Sequence, residues 1–287
     1  IEFIKKKMKI FVNNINISYS IAGKGFPIVL LHGYPQTKLM WRKVIPYLSK
    51  KYTVIVPDLR GYGDSDKPKS NKSHSTYSKK EMAKDQILLM KKLGYDEFYC
   101  VGHDRGARVF HRAALDYPNK IKKLILIDIV PTPHIYNNLN KDISESFFHW
   151  FFLSQKEPLP ENLIKNHKKF YMKSMLGRLS NANNFLERKV IDTYIKKFTK
   201  DSIHASCEDY RAGSTIDLMH HRLDKNKIDC PTLILWGKSS LVGKNFEPIK
   251  IWNNFANILK GKALDGGHYL PEESPSEVAN QILNFFN

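Results

Sequence analysis

The chain has 287 residues, of which 42% are hydrophobic, and carries 46 Lys and Arg against 28 Asp and Glu, a formal charge of +18. That length fits one core with a single sizeable insertion, and the apolar content excludes a disordered chain. No apolar run reaches the length of a membrane span, and three cysteines, Cys100, Cys207 and Cys230, without CxxC spacing exclude a disulfide framework.

The 46 basic residues comprise 37 Lys and nine Arg scattered along the whole chain, so a solvated surface is expected rather than a nucleic-acid face. The field would still gather a small anion. Lys5, Lys6 and Lys7 precede Met8 without the apolar core or cleavage site of a secretory signal. The expectation is a cytoplasmic protein with no nucleic-acid or membrane partner, in which residues before Met8 are a candidate non-native leader. His220 and His221 are adjacent rather than spaced i, i+4, and no HExxH or cysteine cluster occurs, so no metal or other cofactor is expected.

In chain order, strands are predicted at Lys9 to Val12, Ile15 to Ala22, Pro27 to Leu31, Thr53 to Pro57, Phe98 to Gly102, Lys123 to Ile129 and Thr232 to Trp236. Apolar residues at helical spacing predict helices at Met40 to Leu48, Lys80 to Leu93, Ala107 to Leu115, Ile249 to Phe255 and Val278 to Phe286. This β-α-β rhythm implies an α/β fold with a mostly parallel central sheet flanked by helices. The rhythm breaks between about Pro133 and His221, where Phe147 to Phe152 and Lys165 to Met175 read as helices without strands between them. The expected organisation is a core in two parts, 1–133 and 221–287, with an inserted helical cap at 134–220.

Val101-Gly102-His103-Asp104-Arg105-Gly106 stands where a strand gives way to a helix. It matches a G-x-nucleophile-x-G elbow with aspartate as nucleophile. The glycines allow strand and helix to approach closely around a strained residue, and the helix start favours negative charge at Asp104. Upstream, His32-Gly33-Tyr34-Pro35 follows a strand, so the Tyr34 N–H can join that of Arg105 as an oxyanion hole. Asp58 to Ser65 and Gly267-His268-Tyr269-Leu270-Pro271-Glu272 follow in the expected order. Together these motifs resemble the α/β-hydrolase superfamily over nearly the whole chain, which implies the α/β-hydrolase fold.

A carboxylate nucleophile needs no base to activate it. It can displace a leaving group from an sp3 carbon and form an ester, leaving a histidine free to activate the water that hydrolyses that ester. His268, late in the chain after the last short strand, takes the role of base that the superfamily order implies. His32 and His103 read as structural, and His220 and His221 as exposed or hinge residues. The acid that orients the base has two places in this superfamily. The later one reads Lys238-Ser239-Ser240, without a carboxylate, so Asp128, at the end of an earlier strand, takes the role.

The resemblance narrows to the fluoroacetate dehalogenases on three segments, Asp104-Arg105-Gly106-Ala107-Arg108, His149-Trp150-Phe151-Phe152-Leu153 and Cys207-Glu208-Asp209-Tyr210-Arg211-Ala212. It implies that Arg105 and Arg108 hold a substrate carboxylate, that His149, Trp150 and Tyr210 contact the departing halide, that the substrate is a small anionic haloacid, and that the protein is a homodimer. The chemistry agrees. Attack by one carboxylate beside another requires a cationic clamp, and fluoride, small and basic, requires several donors aimed at one point. Tyr34 departs from the family, where Phe is common.

The nearest alternative is an epoxide hydrolase with the same Asp-His-Asp triad and a second cap tyrosine drawn from Tyr136, Tyr171 or Tyr194. A haloalkane dehalogenase would place Trp where Arg105 stands. A non-catalytic receptor on the same scaffold would have no need of Asp104, His268 and Asp128 together, and a nucleic-acid-binding protein would need clustered basic residues.

Overall fold

The computed structural model describes residues 8–179 and 185–287. The expected leader, residues 1–7, lies outside them. Eight strands form one sheet: β1 (Met8–Val12), β2 (Ile15–Ala22), β3 (Pro27–Leu31), β4 (Thr53–Pro57), β5 (Phe98–His103), β6 (Ile121–Ile127), β7 (Thr232–Gly237) and β8 (Leu259–Leu264). Their order is β1-β2-β4-β3-β5-β6-β7-β8. β2 runs antiparallel to both β1 and β4, and every other pairing is parallel.

The inner strands are short, branched and apolar because helices cover both faces of the sheet. Every residue of β3 and β4 is buried. Side chains alternate between two core clusters, with Val29 and Leu31 on one face and Ile28 and Leu30 on the other. The helix Lys79–Lys92 opens with Ser78 as its N-cap. Ser78 Oγ accepts the Glu81 N–H at 3.2 Å, and Glu81 stands at the third helical position.

β8 is an element for which the sequence yields no range. Its Leu-Lys-Gly-Lys-Ala-Leu has little apolar alternation because it is an edge strand, where lysines discourage further pairing. β6 ends at Ile127 rather than Ile129, since Asp128 turns out of the strand with φ 56°. The helix expected over Met40 to Leu48 divides into a 3-10 segment, Lys38–Lys43, and a short helix, Ile45–Leu48, because Pro46 has no N–H to continue the ladder.

Between β6 and β7 the described residues form eight helices, from Thr132–Asn137 to Ile216–Leu223. The helix expected over Lys165 to Met175 is two, Leu159–Asn166 and Lys168–Leu179. His220 and His221 are half-buried near the end of the last of the eight, where His221 bonds to Asp224 at 3.1 Å. Among the described residues, no helix is long and apolar enough to cross a membrane. Two lysines depart from the solvated surface expected for this residue type. Lys38 and Lys79 are buried, paired with Asp58 and Asp209.

The turn after β5 depends on close approach. A Cβ on Gly102 would stand 2.6 Å from the Ala107 Cα, and one on Gly106 would stand 2.5 Å from the His32 carbonyl oxygen. Gly106→Ala is therefore expected to destabilise the protein by about 1–3 kcal/mol, the range for overpacking, read as a lower urea midpoint at unchanged slope.

Candidate active site

The elbow presents Asp104 with φ 47° and ψ −115°. L-residues avoid this region at a cost of about 1–3 kcal/mol. Backbone bonds on both sides hold it there: the Asp104 N–H donates to Ile127 at 3.2 Å, and the Arg108 N–H donates to the Asp104 carbonyl at 3.1 Å. Asp104 Oδ2 accepts the Tyr34 N–H at 2.8 Å. That is one half of the expected oxyanion hole; the Arg105 N–H makes no hydrogen bond among the described residues. Burial works against the charged carboxylate, but His268, Arg105 and Arg108 outweigh it and hold Asp104 below the usual carboxylate range.

His268 follows β8 and places Nδ1 2.6 Å from Asp128 Oδ2. The other Asp128 oxygen accepts from Ser240 Oγ at 2.6 Å and from the Gly237 N–H at 3.0 Å. A carboxylate so placed accepts the Nδ1–H hydrogen bond, which keeps the proton on Nδ1 and leaves Nε2 as the free basic atom. Burial favours the neutral imidazole, yet the hydrogen bond and charge of Asp128, with the charge of Asp104, hold the His268 pKa above 6.5.

His103 lies beside His268, with ring centroids 4.7 Å apart, and its Nε2–H donates to the His268 carbonyl at 2.7 Å. Burial takes its pKa down to about 3, so it remains a neutral spacer. His32 is also structural. Its Nδ1 bonds to the Gly33 carbonyl at 3.0 Å, and its Nε2 accepts the Leu59 N–H at 3.0 Å.

Arg105 and Arg108 are both buried and differ in their partners. Arg105 donates from Nε and Nη2 to the Asp209 carboxylate, at 3.0 and 2.5 Å, and from Nη2 to the Asp209 carbonyl at 2.8 Å. Tyr62 and Lys79 bond to the same carboxylate. Arg108 donates only to neutral groups, the Val130 carbonyl and Thr132 Oγ1, both at 2.9 Å. Its Nε is buried with no partner, and it forms no salt bridge among the described residues. Burial, reinforced by the charge of Arg105, pushes its pKa down to about 10, so it stays cationic at neutral pH. Its guanidinium lies 4.6 Å from the Trp150 ring, and that of Arg105 lies 4.2 Å from the Tyr210 ring.

A small cavity of ≈ 20 Å³ is lined by Asp104, Arg108, Asp128, His149, Trp150 and His268, with an apolar wall that includes Phe147 and Leu179. It is large enough for a water molecule. His149 carries an unpartnered buried Nδ1, and burial takes its pKa down to about 3, so its ring is neutral. Of the residues singled out in the sequence, Arg105, Tyr210 and Tyr34 do not line this cavity. Tyr210 stands behind it, its ring 5.8 Å from His149 and 6.1 Å from Trp150. Burial, followed by the charge of Asp104, raises its pKa and keeps the phenol protonated.

Sequence reasoning gave no role to Ser240 or Asp209. Ser240 lies beside the later acid position and bonds to the acid that replaced it. Asp209 was signalled by Arg105 itself, since a guanidinium buried at the elbow calls for a counter-charge.

An aspartate on a strained elbow between β5 and a helix, with a histidine-aspartate pair after later strands and a helical cap above, defines a hydrolase of the nucleophile-elbow class. The family model described as "alpha/beta hydrolase fold" matches residues 27–275. The chain belongs to the α/β-hydrolase fold family. It is 36% identical to a fluoroacetate dehalogenase from Burkholderia sp, over 96% of this chain and 92% of that protein. It is 32% identical to a soluble epoxide hydrolase from Corynebacterium sp. (strain C12), over 96% and 95%. Among solved structures, a putative α/β hydrolase from Nostoc sp PCC 7120 superposes with a TM-score of 0.97 at 44% identity, covering 98% of each chain.

Because the Asp104 charge helps to hold the proton on His268, Asp104→Asn is expected to lower the His268 pKa. An NMR titration of the imidazole should show its midpoint moving to lower pH in the variant.

Proposed function

We propose that this protein is a hydrolytic dehalogenase of small 2-haloacids such as fluoroacetate. The observation that carries this reading is Arg108, a buried cation with only neutral hydrogen-bond partners and an unpartnered Nε at the wall of the cavity that holds Asp104. An unpaired charge in that position is costly, and a substrate carboxylate would pair it. Arg105, neutralised by Asp209, stands behind as the second arm of the clamp.

In this mechanism the Asp104 oxygen not held by Tyr34 attacks the halogen-bearing carbon, and halide leaves toward the His149 and Trp150 donors at the cavity wall, with Tyr210 packed behind them. The product is an ester on Asp104. Its formation removes the charge that helps to hold the proton on His268, so alkylation itself readies the base. His268 Nε2 then takes a proton from water, which adds to the ester carbonyl while Tyr34 N–H, joined by that of Arg105, holds the oxyanion. Collapse releases the 2-hydroxyacid and restores the carboxylate.

An epoxide hydrolase would use the same triad, and the likeness to the Corynebacterium enzyme favours it. Its second phenol is the difficulty. Tyr194 gives its hydroxyl to Glu272 at 2.7 Å, Tyr171 is bonded to Tyr34 at 2.9 Å, and Tyr136 lies over Trp150 at 5.7 Å. No tyrosine lines the cavity among the described residues. A neutral epoxide would also leave Arg108 without an anion.

The deciding experiment measures halide release from fluoroacetate and chloroacetate beside opening of a styrene-type epoxide. Asp104→Asn is expected to abolish halide release, and His268→Asn to trap an ester visible in the intact mass; epoxide opening alone, or no adduct, would sink the proposal. Arg108→Gln is expected to raise KM for chloroacetate about 10- to 100-fold, the worth of a charge-assisted hydrogen bond, while leaving KM for neutral chloroacetamide nearly unchanged. Equal effects on both substrates would remove Arg108 from carboxylate binding.

A further inference from the structure

The cap helix Lys168–Leu179 touches both loops that frame Asp104. Near its start, the hydroxyl of Tyr34 donates to that of Tyr171 at 2.9 Å. Tyr34 is a core residue, 1% exposed, and its ring passes into the cap edge-on to Tyr210 at 5.4 Å and to Phe198 at 6.1 Å. Further along, the Tyr269 hydroxyl donates to the Met175 carbonyl at 3.3 Å. At the end of the helix, the Leu179 carbonyl accepts the backbone N–H of His268 at 2.9 Å. A helix cannot satisfy its last carbonyls from within; here the missing donor is the catalytic loop itself.

We infer that this helix is a positioning strut for ester hydrolysis, and that the Tyr34–Tyr171 hydrogen bond sets the place of the Tyr34 amide over Asp104. The inference rests on the ester mechanism proposed above. During ester formation, Tyr34 N–H holds the oxygen that does not attack, and charge drains away from it. During hydrolysis, water adds to the Asp104 Cγ, its proton passes to His268 Nε2, and negative charge builds on Oδ2 against the same N–H. The Cγ–Oδ1 bond then breaks, and the proton on His268 passes to the departing alkoxide. A donor displaced by a fraction of an ångström therefore slows the second step more than the first. Tyr34 is the link through which the cap reaches that donor: its amide faces the nucleophile and its hydroxyl faces the cap. The side chains of Tyr34 and Tyr171 touch no reacting atom, so both act as positioning residues.

Tyr34→Phe, Tyr171→Phe and the double variant separate this role from mere stability. Each is to be checked for folding by thermal melting and then turned over on chloroacetate, with the ester fraction at steady state read by quenching and intact mass. Each single variant is expected to lower kcat by about three- to tenfold, the span of a hydrogen bond's net worth. The ester fraction should rise and KM fall with it, because the slowed step follows alkylation. The double variant should match either single one, since all three break the same bond. Unchanged ester fractions in both single variants, or losses that multiply in the double, would overturn the strut. His268→Asn on the same substrate distinguishes the two failures. If it traps no adduct, the ester mechanism is wrong and the strut falls with it; if it traps the adduct while the tyrosine variants behave as the parent, only the strut is refuted.

Discussion

A carboxylate proposed as a nucleophile has to be buried enough to shed water and still remain charged. Asp104 meets both demands at 7% exposure through the groups around it. The Tyr34 amide holds one oxygen, while Arg105, Arg108 and His268 supply the positive field that outweighs desolvation. The fold around it serves that placement. The glycine-lined turn brings strand and helix together, the strained backbone lifts the side chain off the end of β5, and the cap closes the volume above it. Without the cations, burial would raise the Asp104 pKa.

The two arginines differ in their partners. Asp209 reaches from the cap helix Lys200–Ser214 to take Arg105, with Lys79 and Tyr62 bonding to the same carboxylate. This fixes the guanidinium and cancels much of its charge. Arg108 has no such acid and rests on a carbonyl and a hydroxyl. The cavity thus faces Arg108, a cation with no salt bridge among the described residues, while Arg105 lies behind the wall with its charge largely compensated by Asp209. The cap fixes Arg105 and supplies two more wall residues, His149 and Trp150, so its place decides the pocket's polarity as well as its volume.

The Asp128–His268 pair draws on two neighbouring strands. Asp128, at φ 56° just past β6, reaches His268 with one oxygen and β7 and Ser240 with the other. The later acid position lies on the neighbouring strand, and here that turn offers an amide and a hydroxyl instead of a carboxylate. Those donors orient Asp128, so a loop without an acid of its own still supports the Asp128–His268 pair.

Much of this was legible along the chain because the signals are local. Seven strands and the principal helices follow from apolar periodicity and breakers. The elbow follows from two glycines around an aspartate, and Asp104, Asp128 and His268 follow from their positions at strand ends. β8 escaped because an edge strand need bury only part of its surface, and the split of the 40–48 helix turned on a single proline. What the linear order could not carry were relations between residues far apart: Asp209, about a hundred residues from Arg105, which makes the arginine pair unequal; Ser240 beneath Asp128; and the Tyr34–Tyr171 bond between core and cap. By itself the sequence determined the fold class and the aspartate at the elbow, because each depends on spacing and residue type within a few turns of chain. Only the tertiary structure decided which charges are compensated and which donors reach Asp104, because electrostatic balance and hydrogen bonding depend on distance in space.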